Sequence, residues 1–107
     1  MVSYNTVNGV INDNNYHHIV IVVDKTITTV NIYKDSVLQS TGSNTGLWNL
    51  SSGDSTRTMN IGSINWTTPT TFSFNGQLDE VGIWNRTLTQ NEINELYNIG
   101  IGKQYPF

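Results

Sequence analysis

An all-β, antiparallel fold ending in one short α-helix is what this sequence predicts, and three observations carry the prediction. Asn, Thr and Ser are heavily used and Ala is absent, a mix that favours strands and polar loops over helices. Apolar residues recur with a strand's alternation between runs of turn residues. A helix-capping signature stands out only near the C-terminal end, at Thr89-Gln90-Asn91-Glu92.

The first strand signal is H-I-V-I-V-V, residues 18–23. It is apolar on both alternating faces, which predicts a strand covered on both sides. Asp24-Lys25-Thr26 then supplies turn chemistry. Residues 28–34 alternate, with Val30 and Ile32 on one face and Asn31 and Tyr33 on the other. A second tight turn at Lys34-Asp35-Ser36 leads into residues 37–41, so three antiparallel strands are expected in succession as a meander. Residues 42–57 are rich in Ser, Asn, Gly and Asp around Leu47, Trp48 and Leu50, and read as a long ordered loop. Thr58 to Gly62 reads as a short strand, residues 63–71 as a second polar loop around Trp66 and Pro69, and residues 72–84 as a strand bent at Gly76. In the helix that follows, expected over 90–98, the Thr89 hydroxyl can accept from the Glu92 amide while the Glu92 side chain reaches back to the Thr89 amide. Leu88 and Ile93 form a hydrophobic staple across the cap, Ile93, Leu96 and Tyr97 make the apolar face, and Gly100 is the expected stop.

At 107 residues the chain holds one domain at most, residues 1–107, with a single core. Three Trp, five Tyr and three Phe at a net charge of -3 mark a folding rather than a disordered sequence. Five scattered Lys and Arg give no basic stripe, which argues against a nucleic-acid partner. The longest apolar run, residues 19–23, is far too short for a transmembrane helix. With no cysteine, disulfides, thiolate nucleophiles and Cys-ligated zinc are out, although secretion is not. The start at Met1 carries no signal-peptide pattern, so export would depend on sequence outside this chain.

Two segments together resemble a known family. The first is Tyr16-His17-His18-Ile19-Val20-Ile21-Val22-Val23-Asp24 running on to Val30-Asn31-Ile32-Tyr33-Lys34-Asp35-Ser36-Val37-Leu38. The second is Met59-Asn60-Ile61-Gly62-Ser63, then Phe74-Asn75-Gly76-Gln77-Leu78-Asp79-Glu80-Val81-Gly82-Ile83-Trp84-Asn85-Arg86-Thr87-Leu88, with Glu92-Ile93 after it. Combined, they are similar to the laminin-G-like, concanavalin A-like lectin/glucanase jelly roll, in particular its bacterial and viral branch, which also resembles pentraxins. The departures are Tyr16 where the family has Trp, Ser36 where it prefers Gly, and Gly82 where it often has Arg. The resemblance implies an antiparallel jelly-roll β-sandwich, of which this chain matches the C-terminal part, with only Met1 to Asn15 left for the earlier strands. Two expectations follow: a truncated domain, or a compact variant whose exposed sheet is covered by a second copy, and in either case a homo-oligomer.

Asp79 and Glu80 are the most enzyme-like feature. On a strand they point to opposite faces and cannot act together on one atom. The glucanase pattern would set three acids at positions 77, 79 and 81, which here are Gln77, Asp79 and Val81. A glycosidase needs two carboxyls flanking the bond, roughly 5 to 10 Å apart, so no catalytic residue is assigned and the chain is expected not to be an enzyme. Asp79 and Arg86 are expected to be structural. Asp79 would lie at the end of a core strand, sharing a face with Val81 and Ile83, and accept from loop amides or from Arg86. Trp84 should pack on Leu88 and Leu96, while Thr89 and Glu92 serve the cap.

His17 and His18 face opposite ways on a strand and cannot chelate one ion, so no metal site is assigned. Asp13, Asn49 and Asp54 make no contiguous oxygen-ligand loop of the EF-hand kind, and calcium stays an open alternative to having no cofactor. Sugar recognition combines an aromatic platform with polar groups for the hydroxyls. Trp48 and Asn49, Asp54 and Arg57 in the first loop, and Asn65 and Trp66 in the second, are the candidates. The competing role for each Trp is to plug one end of the sandwich, and Trp66, set among Asn65, Thr67 and Thr68, looks the more exposed. The expected function is non-catalytic binding of a glycan or of a cell-surface or virion protein, in a larger extracellular or virion-associated protein. A structural or oligomerising sandwich without ligand, or a remnant glycoside hydrolase, is the alternative.

Overall fold

The computed structural model describes residues 11–43, 61–62 and 73–103. The chain divides into two compact units, Met1–Trp48 with Trp84–Phe107, and Asn49–Ile83.

The first unit holds the expected meander. Strands β1 (Ile19–Asp24), β2 (Thr29–Lys34) and β3 (Val37–Ser43) form one antiparallel sheet in the order β1-β2-β3. Asp24 organises the first turn: its Oδ1 accepts from the Thr26 amide at 2.8 Å and the Thr26 hydroxyl at 2.6 Å, an Asx-type turn. The second turn is the tighter. Lys34 pairs with Val37, and the two residues between, Asp35 and Ser36, both have positive φ, 51° and 71°, as a type I′ hairpin turn requires. Its backbone twist matches that of the flanking strands, so the sheet stays paired up to the turn. A register shift between Ile32 and Tyr33 leaves Gln39 as an extra residue in β3, a bulge of the kind that strengthens local twist.

Residues directly opposite one another share a face. Val20 pairs with Tyr33 and Val22 with Asn31 on one face, while Ile21 pairs with Ile32 and Val23 with Val30 on the other. The first face carries the core. Val20 and Val22 are buried against Ile93 of helix α1 (Gln90–Tyr97), with Tyr33 and Leu88 packed around them. Ile93 is fully enclosed, and burial of such a side chain contributes about 1.5–3 kcal/mol. On the second face the central-strand residues Val30 and Ile32 are buried, but Ile19 and Ile21 of β1 are 42% and 62% exposed and Val37 of β3 is 61% exposed. The expectation of a β1 covered on both sides is therefore corrected: the helix covers the face of Val20 and Val22, and β1 turns its two isoleucines to solvent.

Helix α1 starts as its sequence dictates. Thr89 accepts from the Glu92 amide, Glu92 reaches back to the Thr89 amide, and the capping box is complete. The end differs from expectation. Asn98, not Gly100, is the first left-handed residue, at φ 45° and ψ 48°. A 3-10 turn η1 (Asn98–Gly100) follows, with Ile99 also at positive φ. Asn tolerates that region because its short polar side chain can bond locally, and here its Nδ2 donates to the Gly102 carbonyl at 3.1 Å.

The second unit is described at 61–62 and 73–83. The Phe74 amide donates to the Gly62 carbonyl at 2.7 Å. Gly62 has φ 76°, and a Cβ there would stand 3.3 Å from Leu78 Cδ1, so the close approach favours glycine. The bend expected at Gly76 is present, but the strand expected over 72–84 is not. Among the described residues of that stretch only Ser73 makes a strand-type bridge. Glu80 sits at φ 51°, outside the extended region, so the alternation of faces is broken there. Val81 and Ile83 are 58% and 72% exposed, which removes the core face assigned to Asp79. The second packed sheet of a full jelly-roll sandwich is not among the described elements.

Candidate functional site

Trp48, Asn49, Asp54, Arg57, Asn65 and Trp66 lie outside the described residues. The polar groups that the structure does bring together cluster at three places in the first unit.

One surrounds Glu92. Arg86 grips its carboxylate with both guanidinium nitrogens, at 2.6 Å to Oε1 and 3.0 Å to Oε2, a bidentate pair. The Thr89 amide and hydroxyl add bonds of 2.8 and 3.0 Å to the same Oε2. Arg86, followed by the Thr89 bonds, holds the Glu92 carboxyl down to about 2. Arg86 is thus committed to Glu92, and of the two kinds of donor expected for Asp79, loop amides or Arg86, the one seen among the described residues is a loop amide. Asp79 in the second unit accepts from the Glu80 amide at 2.9 Å. Trp84 is 36% exposed.

A second cluster precedes β1. One ring nitrogen of His17, Nε2, lies 2.8 Å from Asp13 Oδ1 and the other, Nδ1, 2.7 Å from Asp35 Oδ2. Its side chain is only 13% exposed. The two carboxylates, Asp13 first, raise its pKa above the usual histidine value, and the same contact pushes Asp13 well below the usual carboxylate range. Asp35 is itself fixed, because its Oδ1 accepts from the His18 amide at 3.0 Å and its own amide donates to the His18 carbonyl at 2.8 Å. His18 points elsewhere: its ring stacks on Tyr97 with centroids 6.1 Å apart, and its buried Nδ1 has no hydrogen-bond partner among the described residues. Burial pushes its pKa down, so adjacent histidines are biased in opposite directions. The expectation that they face apart holds. The trio Asp13, His17 and Asp35 was not foreseen, although the four-residue spacing of Asp13 and His17 is a local signal.

A third set of bonds fastens the helix to the β2–β3 turn. Gln90 Nε2 donates to the Ser36 carbonyl at 2.8 Å and to Asn94 Oδ1 at 2.9 Å, and the Ser36 hydroxyl donates to the same Asn94 oxygen. Ser36 stands where glycine would relieve a positive φ, and its hydroxyl supplies an interaction that glycine lacks. Among the described residues no group of three or more His, Cys, Asp or Glu could hold a metal ion. No helix among them is long and apolar enough to cross a membrane.

A hairpin-built antiparallel sheet with a capped helix docked on one face defines a small β-rich module. The family model described as the concanavalin A-like lectin/glucanases superfamily, of laminin G type, matches residues 2–94, and the chain belongs to that family. No curated protein matches the chain significantly. Among solved structures, it is similar to the 2.1 Å crystal structure of residues 221–444 of an S-layer domain-containing protein from Clostridium thermocellum ATCC 27405. The identity is 20% and the TM-score 0.62, over 77% of this chain and 39% of that one. The likeness is one of fold, and the chain spans well under half the length of that structure.

Proposed function

We propose that the chain is a non-catalytic binding module for a glycan or a surface partner, within a larger extracellular, cell-surface or virion-associated protein. The observation that carries this reading is the loss of acids within a lectin/glucanase family: Gln77 and Val81 stand at two of the three positions where the glucanase pattern requires carboxylates. Acid/base cleavage of a glycosidic bond needs a pair of carboxyls, and binding does not. The S-layer domain-containing neighbour supports a surface setting. Sugar contacts are assigned to Trp66 and Asn65, with Trp48, Asn49, Asp54 and Arg57 as further candidates. The test is a glycan array run with wild type and Trp66→Ala, with and without calcium, alongside circular dichroism. Binding that disappears in the variant while the fold persists supports the assignment. Polysaccharide turnover by the wild type would overturn the non-catalytic reading.

A second reading, an oligomerising module without a sugar ligand, is favoured by the exposed apolar residues Ile19, Ile21 and Val37 on one sheet face. Absence of glycan binding together with self-association would select it.

A further inference from the structure

We propose that His17, clasped between Asp13 and Asp35, is a proton-operated latch: its imidazolium form fastens the segment before β1 to the β2–β3 turn, and loss of one ring proton releases Asp13. The geometry sets the requirement. An ionised carboxylate only accepts hydrogen bonds, and a neutral imidazole has a single N–H, so one ring can donate to two carboxylates only when both nitrogens carry protons. Both contacts are short, 2.8 Å to Asp13 and 2.7 Å to Asp35.

The two arms are not equivalent. Asp35 is held by reciprocal backbone bonds with His18, in a two-residue turn that the sheet register fixes. Asp13 sits in a short bend, where it accepts from the Asn15 amide at 3.1 Å and where Asn14 has φ 61°. Its side chain is 44% exposed against 26% for Asp35. A neutral ring therefore keeps its remaining proton on the Asp35 side. Its bare Nε2 then faces Asp13 Oδ1, lone pair against anion, and Asp13, the more exposed of the two partners, leaves. The bend around Asp13 loses its tie to His17, while His17 itself stays bonded to the β2–β3 turn through Asp35. Of the other ionisable groups beside the trio, His18 turns its ring to Tyr97 and is biased to the neutral form, while Lys34 and Tyr16 flank it in sequence.

The sign follows from His17's raised value. A group whose folded pKa lies above its unfolded one stabilises fully below the unfolded value, about 6.5 for histidine, and that stabilisation is lost as pH rises through the folded value. The latch is thus closed in mild acid and opens on the alkaline side.

Imidazole and backbone 15N NMR of the full chain, titrated from mildly acidic to alkaline pH, tests the latch in wild type, Asp13→Asn and His17→Gln. Wild-type His17 should keep protons on both nitrogens to a pH above that of a free histidine, and the amides of Asn14 and Asn15 should lose order in step with its titration. Asp13→Asn should shift the titration downward and leave that segment loose at every pH. His17→Gln should abolish the transition, and if that variant fails to fold, the wild type and Asp13→Asn decide alone. A His17 titration at or below the ordinary value, an unshifted titration in Asp13→Asn, or a segment that keeps its order through the titration would each overturn the proposal.

Discussion

Glu92 accepts four hydrogen bonds, two from Arg86 and two from Thr89, so one carboxylate caps the helix and ties the preceding chain to it. A negative charge in the first turn also suits the helix dipole. Because its folded pKa is depressed to about 2, the stability it contributes is present above the unfolded value, about 4.3, and is lost as pH falls through the folded one. Denaturant melts of the wild type should therefore weaken across that acid window, and Glu92→Gln should lack this component. Thr89→Ala should cost about 1 kcal/mol at neutral pH; a loss near zero would mean that Glu92 caps the helix without it. The Thr89–Glu92 box could be read from sequence because its atoms lie within three residues of one another. The partner of Arg86 could not: three carboxylates, Asp79, Glu80 and Glu92, lie six or seven residues away, and spacing alone does not choose among them. The His17–Asp35 contact spans eighteen residues and follows only once Asp35 is bonded to His18 at the sheet's end.

At the level of elements, the helix matters through the face it docks. Ile93 is wholly enclosed while Leu96 and Tyr97 are half-buried, so the apolar face is centred one turn earlier than its three residues taken equally would suggest. Ile93→Ala should lower stability by about 2 to 5 kcal/mol, more than Leu96→Ala, which should in turn exceed Thr89→Ala. Urea midpoints at unchanged m-value give the comparison, and a larger loss for Leu96→Ala would centre the contact one turn later on the same face. The meander was legible because period-two alternation and the turn residues at Asp24 and Asp35-Ser36 are local signals. The bulge at Gln39 carries no such signal. The stretch 73–84 misled for a physical reason: it is rich in strand-forming residues, but strand propensity means only that side chains suit a pleated, half-buried surface. With Glu80 at positive φ and Val81 and Ile83 exposed, that surface is not formed there. The helix stop was misplaced by two residues because Asn98 competes with Gly100 for the left-handed position.

For the whole molecule, the apolar surface of the sheet decides the argument. Ile19, Ile21 and Val37 lie on the face opposite Ile93 and are largely exposed, and β1 and β3 are the outer strands of the described sheet. An outer strand with exposed isoleucines is a template for pairing with another chain, and a two-fold axis lets the same surface on two copies satisfy itself. A second copy is the occupant this geometry fits, since antiparallel pairing of two β1 strands would set Ile19 and Ile21 of one against those of the other. Self-association at micromolar concentration is therefore expected in sedimentation. Ile21 is 62% exposed, and an exposed substitution usually changes stability by no more than about 0.5 kcal/mol, so Ile21→Lys should weaken association while leaving the melting transition nearly unchanged. A sharp loss of stability in that variant would mean that the residue is covered within the monomer. A clean species of 12.0 kDa in the wild type, with no binding of a hydrophobic dye, would show that the chain closes this face unaided.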